Sequence, residues 1–161
     1  MALVDYFLKI DGIAGESEDG KHKNEIDVES WSWGETQVGA HGVGGGGGAG
    51  KVSMQDFHFV MKANKASPLL FMHCANGKHI PKAVLTCRKA GEKQQEYLKW
   101  TFSDLLVSSF QTGGSQGDMI PTEQISLNFA KIEVSYQPQD VKGALGSPIK
   151  AGWDVKKNEK V

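Results

Sequence analysis

The chain is short of cysteine, of long apolar runs and of net charge, and each shortage excludes a class of protein. Cys74 and Cys87 are the only two cysteines in 161 residues, too few for a disulfide framework in a chain long enough to bury a core without one. They read as reduced, buried thiols, with a single disulfide as the lesser alternative. No stretch approaches the ~20 apolar residues of a membrane-spanning helix. The N-terminal MALVDYFLKIDG has an early Asp5, no basic n-region and no long apolar h-region, which argues against a secretory signal peptide. Eighteen basic residues against nineteen acidic ones leave a net charge of -1. Nothing therefore steers this surface to nucleic acid or an anionic membrane, and a near-neutral surface tolerates close association with copies of itself.

Patterns that carry chemistry are also missing. His22, His41, His58, His73 and His79 are scattered without the i,i+4 or C-x-x-C spacings that build a metal site. Glu16, Glu18, Asp19, Glu25, Asp27 and Glu29 alternate with Lys21 and Lys23, which reads as a solvated face rather than a catalytic carboxylate pair. Gly113-Gly114-Ser115-Gln116-Gly117 spells G-x-S-x-G, but it falls in a turn between two expected strands and not at the strand-to-helix turn that a nucleophile elbow needs. No catalytic, cofactor-binding or metal-ligating residue is assigned.

Glycine, by contrast, is concentrated. Eight of the residues from Gly39 to Gly50 are glycine: Gly39, Gly42, Gly44, Gly45, Gly46, Gly47, Gly48 and Gly50. Gly45, Gly50 and Lys51 nearly spell a phosphate-binding G-x-x-x-x-G-K, but Val52 stands where a magnesium-binding Ser or Thr is needed. That loop must also open a helix, whereas Val52 to Phe59 alternates like a strand. A segment with so few side chains has high backbone entropy, so residues 39–51 are expected to form a long hairpin loop ordered against a partner.

Strand periodicity dominates the rest. Strands are expected over Tyr6 to Ile10, Ile26 to Val38, Lys82 to Lys89, Glu96 through Phe110, Ile125 to Tyr136 and Ile149 to Val155. Two of these runs change phase. Ile26 and Val28 lie on one face and Trp31 and Trp33 on the other, which predicts a bulge or sharp twist between them. Ile125, Leu127 and Phe129 give way to Ile132, Val134 and Tyr136, with the slip at Ala130 and Lys131. Long strands that change face suit the corners of a barrel. One helix is expected over residues 67–77: Ser67 as N-cap, Pro68 at the first position, Leu69, Leu70, His73 and Cys74 at helical spacing, and Asn76-Gly77 as the stop. The class is mostly β, an antiparallel barrel with one flanking helix, and residues 1–161 read as one domain.

Trp31-Ser32-Trp33 places two indoles on one strand face, so Ser30 and Ser32 point the other way. Trp31, Trp33, Phe57, Phe59, Leu127 and Phe129 are expected to be structural core.

Gly15-Glu16-Ser17, Trp31-Ser32-Trp33-Gly34, the glycine run before Lys51, Ser67-Pro68-Leu69, Arg88-Lys89-Ala90-Gly91, Val107-Ser108-Ser109, Leu127 to Ile132 and Tyr136-Gln137-Pro138-Gln139 occur in this order. Together they resemble Hcp, the haemolysin co-regulated protein family of the bacterial type VI secretion system. The likeness runs from Phe7 to Trp153. It implies a β-barrel subunit of hexameric rings that stack into a tube, with a contractile sheath, a valine-glycine-repeat spike protein and effector cargo as partners. It also implies synthesis in the bacterial cytoplasm and export by sheath contraction. Only Lys156 to Val161 follow the last expected strand, so no appended C-terminal effector domain is expected. In this frame residues 39–51, ending in Lys51, become the ring-stacking loop, and Ser30 and Ser32 become lumen-lining, cargo-facing residues. The competing readings are a secreted β-barrel hydrolase and a small ligand-binding barrel.

Overall fold

Alternating apolar and polar residues generate the strands, and where that alternation breaks the chain changes partner. The computed structural model describes residues 3–38, 51–91 and 93–161. Its elements are β1 (Val4–Ile10), β2 (Ile26–Val28), β3 (Ser30–Ser32), β4 (Glu35–Thr36), β5 (Ser53–Met54), β6 (Phe57–Lys62), α1 (Ser67–Asn76), β7 (Ile80–Lys89), β8 (Glu96–Gly113), β9 (Thr122–Tyr136), β10 (Ile149–Asp154) and β11 (Glu159–Lys160). All pairings among them are antiparallel. They run from β2 to β1, β7, β8, β9 and β6, and from β6 to β3. Since β2 and β3 are separated only by Glu29, the circuit of strands closes through the chain itself. The last strand is β11, not the stretch ending at Val155, and it pairs with β10.

The first phase change is a change of partner rather than a bulge within one ladder. Ile26 and Val28 are buried on β2, which pairs with β1. The Glu29 N–H then donates to Val60 O at 2.8 Å, and β3 continues against β6 with Trp31 opposite Phe59. The second change follows the same rule: β9 pairs with β6 over residues 122–127 and with β10 over residues 131–136. At that level Asp104 of β8 has φ +48, and Phe102 and Leu105, an odd number of residues apart, are both fully buried. Both long strands therefore swap faces together, as a barrel corner requires. The run from Val52 to Phe59 is likewise two strands, broken where Gln55 N–H donates to Gly34 O at 2.8 Å.

Helix α1 is where expected, but its start differs. Ala66 occupies the N-cap position with no side-chain cap, and Ser67 is the first helical residue. The Ser67 hydroxyl donates to Glu123, a carboxylate only 4% exposed, and accepts the Asn64 N–H at 3.0 Å. A buried carboxylate outcompetes the helix end for that hydroxyl. Asn64 Oδ1 takes the Ala66 N–H instead, at 2.8 Å. Gly77 ends the helix at φ +65, its N–H on His73 O.

The core is built on Phe57, Phe59, Phe102, Leu127 and Ile125, all nearly inaccessible. Phe102 packs against Phe57 at 4.6 Å and Phe129 at 5.1 Å between ring centroids. Each such side chain contributes about 1.5–3 kcal/mol on burial.

Candidate assembly surfaces

Strands β3, β6, β9 and β8 form one wall whose inner side is the core and whose outer side is polar. On β6, Phe57, Phe59 and Met61 are buried while His58 and Lys62 are exposed, the two-residue period of a strand with one wet face. The pairings align Ser32, His58, Ser126 and Ser109 across the four strands. Ring nitrogen Nδ1 of His58 hydrogen-bonds the Ser126 hydroxyl, and Ser109 Oγ donates to Ser126 Oγ at 2.7 Å. The next row is Ser30, Val60, Gln124 and Gln111. On the other side, Asp56 accepts from Ser108 at 2.6 Å and from Asn128 at 2.8 Å. Ser30 and Ser32 are exposed on this wall. Sequence reasoning missed His58, Ser126 and Ser109, although His58 is flanked by two core phenylalanines and its outward direction follows from strand alternation alone.

Phe57, Phe59, Leu127 and Phe129 are buried, whereas Trp31 and Trp33 are half-buried against the core. Trp31 stacks on Phe57 at 6.2 Å and meets Tyr6 edge-on at 6.1 Å. Trp33 meets Trp100 edge-on at 5.1 Å and lines a groove of about 570 Å³ with Met54, Val134 and Trp153.

Eight of the nine ring-stacking candidates, Gly39, Gly42, Gly44, Gly45, Gly46, Gly47, Gly48 and Gly50, lie outside the described residues. Lys51 is described and exposed. The arms on either side pair as β4 and β5, Glu35 opposite Met54 and Thr36 opposite Ser53. Strands β5 and β6 follow Lys51, where a phosphate-binding loop would open a helix.

A charged network ties the loop of residues 14–25 to the barrel. Arg88, 2% exposed, donates from Nη1 and Nη2 to both oxygens of Asp19 (3.0 and 2.7 Å) and from Nη2 to Asp5 (3.0 Å). Those bonds, with the Lys21 N–H at 3.0 Å, hold the Asp19 carboxyl well below the usual carboxylate range. The Phe7 ring has the Arg88 guanidinium 4.8 Å over it and the His22 ring stacked on it at 4.4 Å. His22 in turn lies 2.8 Å from Glu25 and 2.6 Å from Glu96. Part of the expected solvated acidic face is therefore a tied structural element. Cys74 and Cys87 are both free thiols, and burial pushes Cys87 up to about 12. Among the described residues no group of three or more His, Cys, Asp and Glu is placed to hold a metal ion.

These surfaces can be set beside known proteins. A family model described as "Type VI secretion system effector, Hcp" matches residues 7–136. Protein hcp1 of Pseudomonas aeruginosa is 52% identical over 157 residues, covering 96% of this chain and 97% of that protein. The crystal structure of Hcp1 from Salmonella typhimurium matches with a TM-score of 0.81 and 42% identity, over 99% of this chain and 100% of the other. A type VI secretion system effector from Yersinia pestis matches at 0.77 and 37%, over 94% and 100%.

Proposed function

Because the chain belongs to the Hcp family of type VI secretion tube proteins, we propose that its copies form hexameric rings that stack into the inner tube, with Ser30 and Ser32 facing the lumen. The family is structural rather than enzymatic, which sets aside the hydrolase reading. The observation that carries the assignment of the lumen is the outer face of β3, β6, β9 and β8. Its central rows are serine, histidine and glutamine with Val60, without Asp, Glu, Lys or Arg, over a core of phenylalanines. Such a surface lets a folded effector pass without strong capture, because neither a charge array nor an apolar patch holds it. The sheath surrounds this tube and the valine-glycine-repeat spike caps it; contraction expels both with the cargo.

Rings must close laterally and stack axially, two different heterologous contacts. Residues 39–51 supply the axial one: a backbone with few side chains can lie flat on the next ring and hydrogen-bond it. Ordering that backbone costs entropy, so isolated rings stack weakly. Light scattering on the purified protein is expected to give six times the 17.5 kDa chain, and negative-stain images of concentrated samples are expected to show short tubes. A monomer at tens of micromolar overturns the proposal.

A further inference from the structure

Between Lys65 and Lys78 the sequence contains no charged residue, and that stretch is α1. Leu69, Phe71 and Met72 are 43%, 57% and 53% exposed. A surface helix normally turns a charged face to water, and one that is apolar all round is covered. The barrel covers one side only: Leu70 is buried, and Phe71 meets Phe110 edge-on at 6.2 Å. Leu69 and Met72, three residues apart on one stripe, remain open.

A second surface has the opposite character. Between β1, β2 and the loop of residues 14–25 lies a cleft of about 610 Å³. Val4 and Tyr6, both half-buried, give it an apolar floor beside the buried Phe7 and Val28, and Asp5, Asp19 and Asp27 stand around it. Arg88 bonds Asp5 and Asp19 but not Asp27, which has no ion-pair partner among the described residues. Burial, and then the nearby Asp5 and Asp19 charges, push the Asp27 carboxyl above its ordinary value. The sequence is segregated the same way: residues 57–91 contain no Asp or Glu, whereas residues 11–36 contain eight against two lysines.

We infer that the outer face of α1, with Lys65 and Lys78 at its ends, seats in the Asp5–Asp19–Asp27 cleft of a second copy and makes the lateral contact that closes the ring. This rests on the ring reading above. The two surfaces are different, so the contact is head-to-tail and closes on rotation rather than pairing two copies face to face. Leu69 and Met72 meet the apolar floor, lysines meet the carboxylates, and charge complementarity fixes the register.

The test uses two variants of the full chain, Met72→Glu to spoil the helix face and Asp27→Lys to spoil the cleft, each checked for an unchanged melting temperature. Leu69→Glu and Glu29→Lys replace them if either melts early. Each variant alone is expected to lose the hexamer and run as a monomer. Mixed at high micromolar concentration they retain one good face each, and the expected product is a 1:1 dimer of twice the chain mass. A variant that stays hexameric, or a mixture that stays monomeric, overturns the inference. Unmodified protein that is itself monomeric overturns the ring reading instead.

Discussion

Arg88 illustrates how much a single side chain can organise. It is nearly inaccessible yet charged, and its guanidinium joins two carboxylates and an aromatic face. Arg88→Met leaves Asp5 and Asp19, both partly exposed, without their charged donor and is expected to cost about 1.5–3 kcal/mol, read by urea denaturation. Asp19 gives this a pH dependence. Its folded pKa lies below the ordinary 3.8, so its stabilisation is complete above that value and is lost as pH falls through the depressed folded value. Acid unfolding of Asp19→Asn is therefore expected to show a shallower loss of stability below about pH 4 than the unmodified chain. Ser67 acts on a buried acceptor rather than on the helix end. Ser67→Ala is expected to cost about 1–3 kcal/mol, lowering the melting temperature by about 2–4 °C per kcal/mol, and Glu123→Gln is expected to couple with it in a double-mutant cycle. Independent, additive effects of the two changes contradict this role.

Strands and turns show which local signals were readable. The helix stop at Gly77 and the two phase changes were visible in the residue pattern, but the cause of the phase changes was not. Parity is written in the sequence, whereas the neighbour to which a strand is handed over depends on residues far along the chain, as with Glu29 and Val60. Two glycines separate conformational from steric demand. A Cβ on Gly77 meets nothing within 4 Å, so Gly77→Ala pays only the left-handed backbone cost of about 1–2 kcal/mol. A Cβ on Gly15 falls 2.5 Å from Glu25 O, where the loop backbone crosses itself with Gly15 N–H on Asn24 O at 2.8 Å. Gly15→Ala must displace backbone and is expected to be the more destabilising of the two by thermal melting; equal melting temperatures contradict that ranking.

For the whole molecule, the roles proposed for the wall and the glycine segment are expected to be separable. Ser32→Gln enlarges a side chain on the exposed face without touching the core, so ring mass is expected to be unchanged while retention of co-expressed cargo falls in pull-downs. Deleting Gly44 to Gly48 is expected to preserve rings and abolish tube growth. Equal cargo retention by Ser32→Gln, or filaments of normal length from the deletion, contradicts the roles proposed for these residues.

The sequence by itself determined the class of fold, the faces of most strands, the helix and the direction of Ser30 and Ser32, because a period of two or 3.6 is a local property of the backbone. It also carried the family, through motifs in a fixed order. Only the tertiary structure decided that His58, Ser126 and Ser109 continue the Ser32 row and that Ser67 serves Glu123. It alone brought Arg88 under the loop of residues 14–25 and set an apolar helix face apart from an acidic cleft. These are juxtapositions of residues tens of positions apart, created when strands pair and loops close over them, and no local period encodes them.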